Sequence, residues 1–136
     1  MSYRVILYHK HPTSAKTVFF KFNDGSICAF EKLPTLAQIV KCSSETLQHP
    51  ASILAETEQR LGLETGGLKA EGEYLQMVEV PGQRIQIILA GINSLDAPLP
   101  IAEKNNAEFI ALTQARGLPD IELELLRHAY ELILGG

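Results

Sequence analysis

Pro50-Ala51-Ser52-Ile53-Leu54-Ala55-Glu56-Thr57-Glu58-Gln59-Arg60-Leu61-Gly62-Leu63 is the stretch on which the fold turns. Pro50 has the fixed φ of a first helical residue and lacks only a donor that would go unused there. Ile53, Leu54, Thr57 and Leu61 fall on one side at helical spacing, and Gly62 stands where a left-handed C-terminal cap is wanted. The spacing predicts a helix over 50–61, with Glu56, Gln59 and Arg60 sharing another side.

Upstream of this helix the pattern is that of strands. Residues 3–8 and 17–22 are short and rich in β-branched and aromatic side chains. Asn23-Asp24-Gly25 tolerates positive φ, so the chain is expected to reverse there and return as Ser26–Glu31, the clearest hairpin in the sequence. Leu36–Cys42 is a fourth strand candidate, followed by the polar run Ser43-Ser44-Glu45-Thr46.

Downstream, Glu64–Gly67 reads as a loop. Tyr74–Val80 and Arg84–Ile92 flank Pro81-Gly82 as a second hairpin, whose second arm has the apolar content of a central strand. Residues 93–105, with Pro98 and Pro100, read as a loop long enough to interest a ligand. Glu108–Leu112 is a last strand, and a helix over Pro119–Leu134 closes the chain, with Ile121, Leu125, Leu126, Ala129, Tyr130 and Ile133 as its buried stripe. Strands, one helix, more strands and a closing helix make an α+β fold with helices packed on sheet faces.

The 136 residues suit one domain, and a composition 46% hydrophobic and 21% charged excludes a disordered tail or a disulfide-packed miniature. A net charge of -4 argues against a nucleic-acid surface, although residues 1–41 carry an excess of +4 against -8 for the remainder. Cys28 and Cys42 lack the paired spacing of zinc or thiol redox sites and read as reduced core residues. No run approaches the ~18 apolar residues that would span a bilayer, and the start is too short in apolar residues for a signal peptide. The expected setting is cytoplasmic, without a membrane partner.

The segment Ala55–Leu63, on a helix that follows four strands and ends in Gly-Leu, resembles the second half of the Nudix box. In words that pattern is Gly, five residues, Glu, seven residues, Arg-Glu, an aliphatic, any residue, Glu-Glu, any residue, Gly, an aliphatic. Acids at i, i+3 and i+4 converge on one helix face, where they hold Mg²⁺ or Mn²⁺ against a bound pyrophosphate. Glu56 matches the Glu of Arg-Glu, Gly62 the Gly and Leu63 the final aliphatic. Ala55 replaces the Arg, Thr57 the aliphatic, and Gln59 and Arg60 the paired acids; a strict count puts Lys41 at the opening Gly and Leu47 at the first Glu. An insertion of two residues would bring Glu45 to that first Glu. The order of the remaining elements is also similar to Nudix domains, so the resemblance covers nearly the whole chain and implies a mixed sheet between helices.

What the resemblance implies for function is a Nudix-like domain, 1–136, that has lost efficient metal-dependent hydrolysis and binds a nucleotide or another diphosphate-containing small molecule. Arg60, Gln59 and Lys41 are its expected ligand-binding residues, with Arg60 taking over part of the metal's electrostatic role through guanidinium geometry suited to phosphate. Two alternatives stay open. An active pyrophosphohydrolase of nucleoside diphosphate derivatives would use Glu56 as the catalytic acid and metal ligand, with Glu45 or Glu108 completing a relocated Mg²⁺ or Mn²⁺ site. A partner-binding structural domain would homodimerise through a strand edge or the closing helix.

Plain structural roles compete with each of these. Glu56 and Arg60 have the favourable i,i+4 order of an exposed helix ion pair, which favours that pairing over metal ligation. His9 and His11 alternate in a strand and point the same way, yet lack an obvious third ligand and read as a solvated strand end. His49 reads as a helix N-cap and His128 as a partly buried, satisfied histidine. Gly66-Gly67 follows a helix and is a turn, not a phosphate loop. Phe19, Phe20, Phe22 and Phe30 are candidates for stacking on a base, but most are expected in the core, and Glu108 reads first as an exposed strand-end acid.

Overall fold

The computed structural model describes residues 2–40 and 50–135, so Lys41, Cys42, Glu45 and His49 lie outside the described residues. The strands are β1 (Ser2–Lys10), β2 (Thr17–Phe22), β3 (Cys28–Ala29), β4 (Gln38–Val40), β5 (Leu68–Ala70), β6 (Gln76–Val80), β7 (Gln83–Ile92) and β8 (Ala107–Ile110). The helices are α1 (Ala51–Leu61), α2 (Leu99–Lys104) and α3 (Asp120–Gly135). Among the described residues the strands form one mixed sheet in the order β4-β6-β7-β1-β2-β8, with β3 paired to β1 and β5 to β7.

The sheet is organised around β1 and β7, which run parallel from Ser2↔Ile85 to Tyr8↔Gly91. Val5–Tyr8 of β1 and Ile87–Ile92 of β7 are apolar runs because both faces of the sheet are covered there. Ile6, Tyr8, Phe19, Ile85, Ile87 and Leu89 pack with Leu125, Leu126, Ala129 and Ile133 of α3. Val5, Leu7, Phe20, Ile88, Ala90 and Ile92 turn the other way and meet Leu54 and Leu61 of α1 and Ala102 of α2. The α+β class, with a mixed sheet packed between helices, is therefore observed directly. No helix among the described residues is long and apolar enough to cross a membrane.

The central helix starts and stops as its sequence predicts. Pro50 precedes it with helical dihedrals and accepts the N–H of Leu54, while Gly62 caps it at φ 85°, donating to the carbonyls of Glu58 and Gln59. The turn at Pro81-Gly82 joins β6 to β7 in antiparallel register as expected. At Gly91 the backbone runs under the Tyr8 ring, and an added Cβ would meet Tyr8 Cζ and Oη at 2.9 Å.

The expected turn at Asn23-Asp24-Gly25 is present, with Gly25 at φ 84°, but the expected pairing of the strands on either side of it is not. β2 pairs with β1 only at Tyr8–Lys10 and then passes to β8, while β3 pairs antiparallel with β1 lower down, at Val5↔Ala29 and Ile6↔Cys28. A tight turn does close there, with the Gly25 N–H donating to the Phe22 carbonyl at 3.0 Å and the Phe22 N–H to the Ser26 carbonyl at 2.8 Å, but because β2 and β3 both oppose β1 the chain leaves the turn through Ile27 and continues down the same edge. A buried carboxylate fastens the loop: Ser26 Oγ donates to Glu122 Oε2 at 2.8 Å and Ile27 N to Oε1 at 2.9 Å. Ser26 Oγ in turn accepts the Cys28 N–H at 3.0 Å. Glu122 thus shares the buried side of α3 with the predicted apolar stripe, of which Ile121 and Tyr130 are only partly buried.

Two further differences are local. Residues 93–105 are not all loop, since Leu99–Lys104 forms α2, whose Ala102 packs into the core. Leu68–Ala70, unmarked by any sequence pattern of strand length, becomes β5 against β7. Glu58 holds it there, accepting the N–H of Leu68 at 2.9 Å and of Gly66 at 3.3 Å.

Candidate functional site

The exposed side of α1 faces the first residues of β1 and the segment after β3 across a hollow of about 580 Å³, lined by Tyr3, Arg4, Val5, Ala29, Phe30, Glu31, Ser52, Ile53, Glu56, Thr57 and Arg60. The helix repeat brings Ser52, Glu56 and Arg60 to one side, while Thr57 is anchored by its hydroxyl, which donates to the Ile53 carbonyl at 2.7 Å. The β1/β3 register places Phe30 and Glu31 beside this opening, since Ala29 stands opposite Val5.

The expected ion pair between Glu56 and Arg60 is not formed among the described residues. The Arg60 guanidinium carbon instead lies 3.8 Å from the Phe30 ring centroid, and Phe30 packs on Phe22 with centroids 6.0 Å apart. Stacking on a face of an aromatic ring suits the delocalised guanidinium and competes well with a solvent-exposed i,i+4 pair. Of the four aromatic residues singled out in the sequence, Phe19 and Phe20 are in the core, whereas Phe30 lines the hollow.

Arg4 enters the same hollow from β1 and is only 9% exposed. Its Nη1 donates to the Tyr3 carbonyl at 2.9 Å, and Nη2 reaches the Lys32 carbonyl at 3.5 Å and the Glu31 carboxylate at 3.7 Å. Nε is buried with no hydrogen-bond partner among the described residues. The sequence signal for Arg4 is a charge inside the apolar run Tyr3–Tyr8, a departure that strand periodicity alone passes over.

The other candidate residues are dispersed. Gln59 is exposed on α1 outside the hollow. Glu108 stands opposite Lys21 in the β2/β8 register and lines a different hollow with Lys21, Asn23 and Asn106, so it is not brought to Glu56. Among the described residues no three His, Cys, Asp or Glu side chains are grouped to hold a metal ion. The charged groups of the hollow are two carboxylates, Glu31 and Glu56, and two guanidinium groups, Arg4 and Arg60, and Glu31 is turned toward Arg4 at 3.7 Å.

The histidines serve local structure. His9 is buried, not solvated, with Nε2 2.9 Å from the Ser94 carbonyl. His11 Nδ1 accepts the N–H groups of Thr13 and Ser14, both at 3.2 Å, which leaves its proton on Nε2, 3.4 Å from Asp96 Oδ1. His128 is partly buried, but its Nδ1 has no partner among the described residues, contrary to the expected satisfied histidine. Cys28 is buried as expected, and burial, reinforced by the Glu122 charge, pushes its thiol well above the ordinary range. No protein-family model matches the chain, and no curated protein matches it.

Proposed function

We propose that this chain is a Nudix-like domain, with metal-dependent hydrolysis impaired or absent, that binds a nucleotide or another diphosphate-containing small molecule in the hollow beside α1. The observation that carries this reading is Arg60, at a position where the Nudix pattern has an acid, stacked 3.8 Å over Phe30 at the wall of a hollow that also holds Arg4 and Glu56. A guanidinium already fixed by stacking loses little further freedom on binding and presents a fork suited to phosphate oxygens. The mixed sheet between helices is compatible with the same family reading. We place the domain in the cytoplasm, where its cysteines stay reduced.

The hydrolase alternative needs acids beside Glu56, but Glu108 lines another hollow and Glu31, the other acid of this one, is turned toward Arg4. A thermal-shift screen of ADP-ribose, NADH, coenzyme A, nucleoside diphosphate sugars and dinucleoside polyphosphates, each in EDTA and in Mg²⁺ or Mn²⁺, tests the proposal. The expected result is a metal-independent rise in Tm, equivalent to about 2.7 kcal/mol at a hundredfold excess over Kd, that Arg60→Ala removes. A shift that requires metal, with turnover lost in Glu56→Gln, selects the hydrolase. No shift with any compound overturns the binding reading in favour of a partner-binding domain.

A further inference from the structure

Arginine is out of place in a strand that packs in the core, and a buried charge is ordinarily tied down by a close counter-ion and a full set of hydrogen bonds. Arg4 has neither. Its Nε is buried without a partner among the described residues, its Nη2 contact to Lys32 is long, and its counter-ion is the carboxylate of Glu31, 3.7 Å away and 81% exposed. Glu31 is therefore held mainly by water and approaches the guanidinium only loosely. A cation so under-satisfied at the wall of a hollow has donor capacity to offer an incoming anion.

We infer that Arg4 is the second anion-binding residue of this hollow, pairing with Arg60 on a diphosphate group, and that Glu31 is a built-in competitor which the ligand must displace. The inference rests on the diphosphate reading of the site and adds to it a residue from β1 and an internal control of affinity. Glu31 occupies Arg4 while the hollow is empty, which lowers the cost of keeping the guanidinium charged there. A diphosphate brings more acceptor oxygens and a higher charge than one exposed carboxylate, so it wins the exchange and releases Glu31 to solvent. No divalent cation is needed for this step.

Titration calorimetry in EDTA with inorganic pyrophosphate and with ADP, on wild type, Glu31→Gln, Arg4→Gln and the double variant, tests the inference. Glu31→Gln should tighten binding by about two- to fivefold, the worth of an exposed ion pair, and a purely structural role for Glu31 would not move affinity in that direction. Arg4→Gln should weaken binding by about tenfold or more. In the Arg4→Gln background, Glu31→Gln should have no further effect, because the two side chains act through one contact. If Arg4→Gln fails to fold, the tightening in Glu31→Gln, which alters only an exposed side chain, decides the matter. Binding by wild type that Glu31→Gln leaves unchanged overturns the inference and leaves the diphosphate reading standing. Absence of binding in both wild type and Glu31→Gln, with either probe, overturns the two together, whereas binding seen only in Glu31→Gln supports both.

Discussion

Glu122→Ala should destabilise the fold by about 2–4 kcal/mol, because it removes the acceptor for two buried donors at once. The carboxylate takes the Ser26 hydroxyl at 2.8 Å and the Ile27 N–H at 2.9 Å, and the residue is 1% exposed, so water does not replace it. Each hydrogen bond to a charged group contributes about 1.5–3 kcal/mol, and relief from burying the charge offsets part of the total. At an unfolding entropy of about 2.1 cal/mol/K per residue, a 136-residue chain loses roughly 3–4 °C of Tm per kcal/mol. The expected loss is thus about 7–15 °C by calorimetry. Glu122→Gln should lose less, since an amide oxygen still accepts from Ile27.

The same pair of proteins carries a pH signature. Burial, partly countered by the Ile27 and Ser26 hydrogen bonds, raises the Glu122 carboxyl above its ordinary value of 4.5. The folded state then holds this proton more tightly than the unfolded chain, so its stabilising contribution is complete below the ordinary value and is lost as pH rises through the raised one. Glu122→Gln cannot titrate, so Tm of the Gln variant should gain on wild type as pH increases from the ordinary carboxylate range upward. An Ala variant within about 1 °C of wild type, or a wild-type Tm that gains on the Gln variant with rising pH, would refute the reasoning.

Glu58→Ala should cost about 1–3 kcal/mol in urea denaturation with an unchanged m value, because the Leu68 and Gly66 N–H groups lose their acceptor, and Glu58→Gln should cost less. Tyr8 and Tyr74 should keep their phenolic protons until the chain unfolds in alkali: burial raises both well above the ordinary value of 10, helped by Glu71 at Tyr8 and by the Cys28 charge at Tyr74. Their contribution to stability is complete below pH 10 and fades as pH rises through the raised values; the absorbance change removed by Tyr8→Phe or Tyr74→Phe should therefore coincide with loss of the circular dichroism signal, and a change in the still-folded protein near pH 10 would contradict this.

Periodicity and caps were legible where one element decides its own geometry. The Gly62 cap and the 81–82 turn lie where the sequence puts them, and the stripes hold at Leu54, Thr57 and Leu61 of α1 and at Leu125, Leu126, Ala129 and Ile133 of α3, while Ile53, Ile121 and Tyr130 are only partly buried. Pairing partners were not legible, because alternation in Ser26–Glu31 states that a strand is half-buried without stating whose edge it joins. β5 lacks a pattern of its own since three residues are too few to display one, and it exists through Glu58 and the edge of β7. Likewise the pair Glu56 and Arg60 read as an ion pair from helix spacing alone, until a ring thirty residues upstream supplied a better contact for the guanidinium.

The misread hairpin and the unread half of the site have one origin. Had the chain gone on from the Gly25 turn to return along β2, Phe30 and Glu31 would have been carried away from β1. Instead the loop at 23–27 lets the chain continue down the β1 edge, and the register Val5↔Ala29 brings Phe30 and Glu31 next to Arg4 and across from α1. Glu122 fastens that loop from α3, on the far face of the sheet, by taking Ser26 and Ile27 just before β3 begins. The hollow therefore depends on a carboxylate that does not line it. Weakening the Glu122 contacts frees the segment that holds the stacking ring for Arg60, so a folded Glu122→Gln protein, with Arg60 less fixed, should bind a diphosphate more weakly than wild type while keeping every residue of the hollow.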